Sequence, residues 1–165
     1  MPETPERLFE RLDAEGKKSI DFFCALAPEQ WEQTLYSDGA CWTIRQLLAH
    51  FVSSEGAFHE LIENVLAGGR GAPQDFDIDA FNQRQVAEMA LASPTELLEQ
   101  FALRRRANLE LVRRLSPKDL SKTGHHPFLG ETSLEEIIQL LYRHNQIHQR
   151  DVRRLFALGA GESSR

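Results

Sequence analysis

The amino-acid sequence predicts an all-α protein built as a four-helix bundle. Apolar residues recur at helical spacing in four long segments, and three of these segments begin with residues typical of helix N-termini. No segment of comparable length alternates apolar and polar residues as a half-buried strand does. The length of 165 residues is sufficient for one core. We therefore expect residues 1–165 to form a single helical bundle domain, although these patterns do not define the order in which the helices connect.

The first half of the chain contains two of the predicted long helices. Apolar spacing predicts the first helix from about Pro5 to Leu26, followed by a short helical turn within Glu29–Tyr36. Thr43 and Gln46 have the spacing of a capping box, in which each side chain bonds to the other residue's backbone N–H. The second helix therefore starts there, and its apolar positions continue until a polar, glycine-rich loop begins at Gly68.

A short helix and a third long helix follow the glycine-rich loop. The short helix is predicted over Asp79–Ala92. Ser93 and Glu96 then form a second capping box, with a proline between them at the first helical position. This combination predicts a helix that runs to about Leu115.

The last long helix is predicted from a third capping box, formed by Ser133 and Glu136, to about Leu158. It is preceded by the segment GHHPFLG, residues 124–130. We expect this segment to be extended at most, and too short to make a sheet.

Charge and composition exclude several classes of protein. The formal net charge of -6 disfavours binding to nucleic acid or to anionic membranes. Arginines cluster on the third and last long helices, but no interleaved aromatic residues accompany them, so solvated faces are expected. No apolar run is long enough to span a bilayer, and the charged start MPETPERLFERLDAEGKK lacks the apolar core of a signal peptide. Cys24 and Cys41 form no CxxC pair, and a cytoplasmic location is expected.

Three histidines are the main candidates for a functional site. His144 and His148 are four residues apart and continue the apolar face of the last helix, and His50 borders the apolar face of the second. A buried imidazole requires a hydrogen-bond partner or a metal. Two interpretations follow: core histidines satisfied by protein groups, or ligands of one metal ion.

The sequence around the histidines restricts the type of metal site. The zinc metalloprotease motif places a glutamate directly after the first histidine, whereas Asn145 follows His144 here. Di-iron carboxylate bundles use Glu-x-x-His, which does not occur in the chain. A mononuclear site rich in imidazole remains, and such a site suits Zn, Ni, Fe, Co or Cu and not Mg or Ca. Among these divalent transition metals, we expect Zn, Ni or Fe.

The segments WTIRQLLAH, FDIDAFNQRQV and LLYRHNQIHQRDV resemble the DinB/YfiT-like superfamily, over about Leu8 to Leu158. The resemblance implies a four-helix bundle in up-down-down-up order and a homodimer. It also implies a divalent metal held by one histidine of the second helix and two residues four apart on the last. His50, His144 and His148 occupy those positions. Some members have glutamate at the position of His144, so this site would consist entirely of imidazole.

The resemblance includes thiol-dependent enzymes such as mycothiol-dependent maleylpyruvate isomerase. It therefore predicts a metal-dependent thiol transferase or isomerase, whose partner is a low-molecular-weight thiol or another small molecule. A metal bound by three neutral ligands keeps open positions and lowers the pKa of bound water or thiol. A metal-dependent hydrolase is therefore an alternative, as are a non-enzymatic metal- or ligand-binding stress protein and a helical interaction module without metal.

Several other polar residues are candidates for contacts with a substrate. Ser54 and Glu55 follow His50 by about one turn and could line the mouth of a cavity. Asn82 could contact a substrate through its amide, or serve in capping or packing. Arg143 and Arg150 neighbour the histidines of the last helix and could bind a substrate carboxylate.

The remaining histidines are expected to be peripheral. His59 is nine residues from His50 and so lies on a different face of the same helix, where we expect it to be solvated. His125 and His126 fall in the polar segment before the last helix, and we expect both to be exposed loop residues.

Overall fold

The computed structural model describes residues 3–35 and 41–162 and shows a mainly helical chain. Two 3₁₀ helices and a two-stranded hairpin accompany five α-helices. The elements are α1 (Pro5–Cys24), α2 (Ile44–Leu66), α3 (Ile78–Glu88), α4 (Pro94–Arg113), β1 (Thr123–His126), β2 (Gly130–Ser133) and α5 (Leu134–Glu162), and the 3₁₀ helices are Pro28–Glu32 and Asp119–Ser121. None of the described helices is both long and apolar enough to cross a membrane.

The helix starts follow the predicted caps. Thr43 and Gln46 form the reciprocal hydrogen bonds of a capping box at the start of α2. Ser93 and Glu96 do the same for α4, and the Ser133 hydroxyl accepts the first-turn N–H of α5. These caps satisfy backbone N–H groups that have no partner inside the helix.

The helix ends deviate more from the prediction. α1 and α4 each end two residues early, α3 stops at Glu88 instead of Ala92, and α5 continues to Glu162. The turn expected in Glu29–Tyr36 is a 3₁₀ helix over Pro28–Glu32, and Tyr36 itself lies outside the described residues. Helix ends fray and have weaker signals than N-caps, which accounts for shifts of this size.

Side-chain contacts define the directions of the four long helices. Arg11 contacts Tyr142 and Ser19 contacts Gln149, so α1 and α5 run in the same direction. α2 and α4 also run in the same direction. Arg104 of α4 contacts the carbonyl of residue 52 in α2, and the later Asn108 contacts the later His59. The guanidinium of Arg105, near the middle of α4, donates to the carbonyl of residue 12, and the later Arg113 lies over the ring of residue 9, so α4 runs opposite to α1. The order is therefore up-down-down-up, which confirms the predicted fold class.

The segment GHHPFLG forms a hairpin, so the expectation that it could not make a sheet was wrong. β1 and β2 pair antiparallel, with His126 opposite Gly130, whose φ is +75°. The glycine can adopt this left-handed conformation at the end of a three-residue turn. His125 also bonds through its backbone to Arg70 and Ala72 in the loop after α2. This connection to a segment 53 residues away stabilises a sheet that four-residue strands alone would not.

Two apolar clusters fill the bundle. The first lies toward the hairpin end and contains buried residues of α1, α2, α4 and α5. The second surrounds Phe23, Phe51 and Phe101 and includes both tryptophans, Trp31 and Trp42. The histidine pair of α5 and His50 of α2 contact this second cluster through the ring of Phe51 and the ring of Trp42.

Candidate metal centre

The antiparallel packing of α2 against α5 brings the three predicted histidines together. His144 and His148 are one helical turn apart on α5 and face His50 on α2. The Nε2 atoms of His50 and His144 are 2.9 Å apart, and those of His144 and His148 are 3.1 Å apart. Possible ligand atoms of the three rings all lie within 4.8 Å of one another, so the group could hold a metal ion.

The site favours neutral imidazoles. Burial lowers the pKa of His50 well below its ordinary value, and the neighbouring histidines lower it further. Burial, followed by the charge of His148, lowers the pKa of His144 to about 3. Burial also lowers the pKa of His148, although Asp151 opposes this. At neutral pH the rings are therefore in the protonation state that can bind a metal.

The three rings satisfy one another poorly. In a neutral imidazole each nitrogen carries either one hydrogen or one in-plane lone pair. The Nε2 atom of His144 is close to Nε2 of both His50 and His148, so its one hydrogen or lone pair has to be shared between two partners. A cation at the convergence point would accept lone pairs from all three, so the donor set fits a metal better than it fits a closed hydrogen-bond network.

Packing, and not hydrogen bonding, holds two of the rings. The Nδ1 atoms of His50 and His144 are buried, and no residue in 3–35 or 41–162 meets them in good hydrogen-bond geometry, although the Asn145 side chain beside His144 raises the pKa of that histidine. Metal-binding histidines usually donate this second N–H to a protein acceptor. Here the ring of Trp42 lies 4.8 Å from that of His50, and the ring of Phe51 lies 5.8 Å from that of His144. These aromatic contacts fix the orientations of both imidazoles.

A cavity of about 660 Å³ opens beside the histidines. α2, α3, α5, the loop after α2 and the hairpin turn all contribute to its wall. Most lining residues are apolar, and several of those also rank among the exposed large hydrophobic residues of the protein. They are Phe76, Ile78, Phe128 and Ile147. The histidine triad therefore lies on the wall of an apolar pocket that is large enough for a small molecule.

A family model places the chain among known proteins. The model of the DinB superfamily matches residues 11–152. The chain belongs to the DinB superfamily. Among curated proteins, none matches the sequence.

Several solved structures have a similar fold. YfiT from Bacillus subtilis, described as a probable metal-dependent hydrolase with an unusual four-helix bundle topology, is 18% identical, with 94% of this chain and 87% of that chain covered and a TM-score of 0.78. The colibactin self-resistance protein ClbS, solved with double-stranded DNA, is 13% identical, with coverage of 97% and 98% and a TM-score of 0.72. The mycothiol-dependent maleylpyruvate isomerase is 17% identical, with 92% of this chain but 61% of that chain covered and a TM-score of 0.72. At such identities the likenesses show the fold alone.

Only some of the other candidate residues of this DinB superfamily member line the cavity. Ser54 and Asn82 line it. Glu55, by contrast, is completely buried, and its carboxylate accepts hydrogen bonds from Arg105 at 2.6 and 3.0 Å and from Asn108 at 2.8 Å. The expectation that Glu55 could line the cavity mouth was wrong, because five residues carry it about 140° around α2 from His50, onto the face that contacts Arg105 of α4.

The histidines expected to be peripheral are partly buried. His126 is only 6% exposed and lines the cavity, so its expected exposure in a loop was wrong. His125 bonds through Nδ1 to the carbonyl of Ala72. His59 hydrogen-bonds through Nδ1 to the side-chain oxygen of Asn108 at 3.0 Å, so it is not simply solvated. The burial of His126 depends on the hairpin, which the sequence patterns did not reveal.

The two candidate arginines of α5 and the two cysteines lie outside the cavity. Arg143 and Arg150 are exposed, and neither lines the cavity. Cys24 and Cys41 are free and exposed. Within the described parts of the chain, the triad is the one group of three or more potential ligand side chains whose spacing could hold a metal ion.

Proposed function

We propose that His50, His144 and His148 bind one divalent transition metal through Nε2, and that the protein is a metal-dependent enzyme acting on a small molecule in the adjacent cavity. The observation that supports this most strongly is the convergence of three neutral imidazoles on the cavity wall. A structural zinc site would use four protein ligands, whereas catalytic zinc sites generally use three and keep one position open. The triad has the ligand count of the catalytic type.

The bound metal and the residues around it would have different roles in the reaction. A divalent metal at the triad would supply Lewis acidity, which lowers the pKa of a water or thiol ligand toward neutrality. His50, His144 and His148 supply neutral donors, so they do not reduce the charge of the ion. The aromatic lining excludes bulk water from the substrate and strengthens electrostatic interactions within the cavity.

The lining of the cavity favours water as the nucleophile. Among the described residues that line it there is no lysine or arginine, and the one carboxylate is Glu60. A glutathione-like thiol, which carries carboxylates, would find no cation to pair with there. We therefore favour hydrolysis of a largely apolar substrate, in which the elements of water add across the cleaved bond. The description of YfiT as a probable metal-dependent hydrolase supports this choice.

Transfer or isomerisation that depends on a thiol is the second candidate. Its support is the fold similarity to the mycothiol-dependent maleylpyruvate isomerase, together with a triad that leaves coordination positions open. In this case the lining requires a thiol whose other groups are mainly uncharged, or one whose charged groups stay outside the cavity.

Metal analysis of protein purified without a histidine tag tests the proposal. We expect one zinc per chain after loading of the wild type, and no tight binding by the variant His50→Ala, His144→Ala, His148→Ala. A matched control replaces His59 and His125 by alanine and should bind zinc like the wild type. Equal binding by wild type and triple variant would contradict the assignment.

Cobalt substitution separates the two enzyme candidates. Titration of the cobalt protein with small neutral and anionic thiols should produce a sulfur-to-metal charge-transfer band only if thiolate reaches the ion. Thiol transfer predicts this band, and its loss in His148→Ala. Hydrolysis predicts release of acid and alcohol from aryl esters in the zinc protein without any thiol.

The homodimer, the cytoplasmic location and the single-domain organisation stay predictions. The exclusion of nucleic acid also stays a prediction, based on the net charge of -6. ClbS was solved in complex with double-stranded DNA, so a DNA-binding assay at low and physiological salt is a direct check.

A further inference from the structure

A second histidine site lies on the cavity wall, at His126. This residue ends β1 and is 6% exposed. Its ring packs against Phe58 of α2, with 5.5 Å between the ring centroids and an angle of 32° between the planes. The hairpin turn and α2 thus hold the ring from two sides, and His126 is a fixed part of the wall.

The turn also determines which nitrogen of His126 carries the proton. The backbone N–H groups of Phe128 and Leu129 both donate to Nδ1, at 3.0 and 3.2 Å. A backbone N–H can only donate, so Nδ1 must be the unprotonated nitrogen of the ring. The neutral ring therefore carries its hydrogen on Nε2. Protonation of Nδ1 would break both bonds, and burial independently lowers the pKa of His126 to about 4.

The Nε2–H group of His126 has no protein partner in the described part of the chain. Its two hydrogen bonds both involve Nδ1, and its Nε2 is not among the enclosed polar atoms that lack a partner. Because His126 lines the cavity, this donor is accessible to a ligand there. His126 is also near enough to His144 to lower the pKa of that histidine. A donor and the metal triad thus share one apolar cavity.

We propose that His126 is a substrate-binding residue that donates a hydrogen bond from Nε2 to an acceptor oxygen, such as an ester, amide or ketone carbonyl, of a mainly apolar ligand. The hairpin turn keeps the ring in the donor tautomer before the ligand arrives, so no proton has to move when it binds. This inference deepens the proposed function by naming the substrate class, and it rests on that function only in using the same cavity. If that oxygen belongs to the carbonyl that is hydrolysed, the same donor would stabilise the negative charge that develops on it.

Two substitutions separate the contact with the turn from the contact with the ligand. In His126→Asn the shorter side chain can still accept from the turn, but it lacks the donor at the position of Nε2. In His126→Gln the longer amide can place an N–H₂ group near that position. Both substitutions are polar and smaller than histidine, and thermal unfolding would verify that each variant folds.

The probes are benzylacetone and butylbenzene, which differ by a carbonyl in place of a methylene group. We expect the zinc-loaded His126→Asn variant to bind benzylacetone about five- to tenfold more weakly than the wild type, the equivalent of one hydrogen bond. Its binding of butylbenzene should not change, and His126→Gln should recover most of the affinity for benzylacetone. Wild-type affinity in the Asn variant, or an equal loss for both probes, would overturn the proposal.

The tautomer is an independent readout. Two-bond proton–nitrogen spectra of the wild-type histidine rings should show hydrogen on Nε2 of His126 at neutral pH, and hydrogen on Nδ1 would overturn the proposal. Zinc content measured on the same samples separates this result from the proposed function. If the chain fails to bind zinc while the benzylacetone difference and the tautomer are as expected, the metal assignment fails and the role of His126 stands.

Discussion

Two buried polar clusters lie on different faces of α2 and differ in how fully they are satisfied. The carboxylate cluster consists of Glu55, Arg105 and Asn108, and the histidine triad consists of His50, His144 and His148. In the carboxylate cluster, both Glu55 oxygens accept hydrogen bonds, and the remaining guanidinium nitrogen of Arg105 donates to the carbonyl of residue 12 at 2.8 Å. In the triad, one nitrogen shares its single hydrogen or lone pair between two neighbours, and two Nδ1 atoms have no hydrogen-bond partner among the described residues.

The difference separates a structural cluster from a site that requires a ligand. A buried charge is tolerated when a partner charge and hydrogen bonds compensate for its lost hydration. The carboxylate cluster is complete in this sense, and it joins α1, α2 and α4. The triad lacks such completion, although it borders a cavity through which a ligand could enter.

The largest effect is expected from breaking the carboxylate cluster. Arg105→Leu leaves the buried Glu55 carboxylate without its cation, and we expect a loss of about 3–5 kcal/mol in the free energy of unfolding. Denaturant unfolding of the chelator-treated protein measures it. The double variant Glu55→Leu, Arg105→Leu removes both charges, so it should be more stable than Arg105→Leu alone. If the double variant lost as much unfolding free energy as the two single variants lose together, the charges would not be coupled.

The triad should respond in the opposite way. His144→Phe replaces an unsatisfied ring by an apolar one, so the metal-free variant should be about as stable as the metal-free wild type, within about 1 kcal/mol. Zinc at one hundred times its dissociation constant should stabilise the wild type by about 2.7 kcal/mol and the variant not at all. Unfolding with and without zinc measures both quantities. A large loss in the metal-free variant would mean that the triad is structural.

The pH dependence of stability gives a third, smaller contrast. Burial lowers the pKa of His144 to about 3, whereas the unfolded chain has an ordinary histidine pKa of about 6.5. As the pH falls below about 6.5, the unfolded state binds a proton that the folded state refuses, so metal-free protein loses stability. Each such histidine contributes up to about 1.4 kcal/mol per pH unit. Between about pH 6 and pH 5, where carboxylates stay ionised, His144→Phe should flatten the slope by this amount. An unchanged slope would show that His144 already takes up protons when folded.

The smallest effect is expected outside both clusters. Arg143 is exposed, does not line the cavity and belongs to neither cluster. Arg143→Gln should change the free energy of unfolding by less than about 0.5 kcal/mol and leave zinc binding unchanged. A loss of turnover of an anionic substrate in this variant would restore the role in carboxylate binding that the sequence suggested.

Local signals in the sequence account for most of what could be predicted. Capping boxes such as Thr43 with Gln46 lie within one turn, so the sequence alone contains the whole interaction. The triad could likewise be predicted from the sequence, because helical spacing aligns His144 with His148 and the apolar pattern shows which face of α2 is buried. Its ability to bind metal stays a prediction.

Interactions between distant residues account for what was missed. Glu55 was assigned to the cavity although five residues place it about 140° around α2 from His50. Its partner Arg105 is 50 residues away, so the sequence pattern did not identify that pair. His126 was assigned to an exposed loop because its burial depends on a hairpin held against the loop after α2. One local sign was present: GHHPFLG places a proline and a glycine around a three-residue turn, with polar residues on both sides.

Anomalous X-ray diffraction at the zinc edge, from crystals of untagged, zinc-loaded protein, would locate the bound metal. We predict one anomalous peak per chain at the convergence of His50, His144 and His148, about 2.0–2.1 Å from each Nε2 atom. We also predict that the remaining coordination faces the cavity and holds no protein ligand. A peak elsewhere, no peak at full zinc loading, or a fourth protein ligand that closes the site would contradict the account.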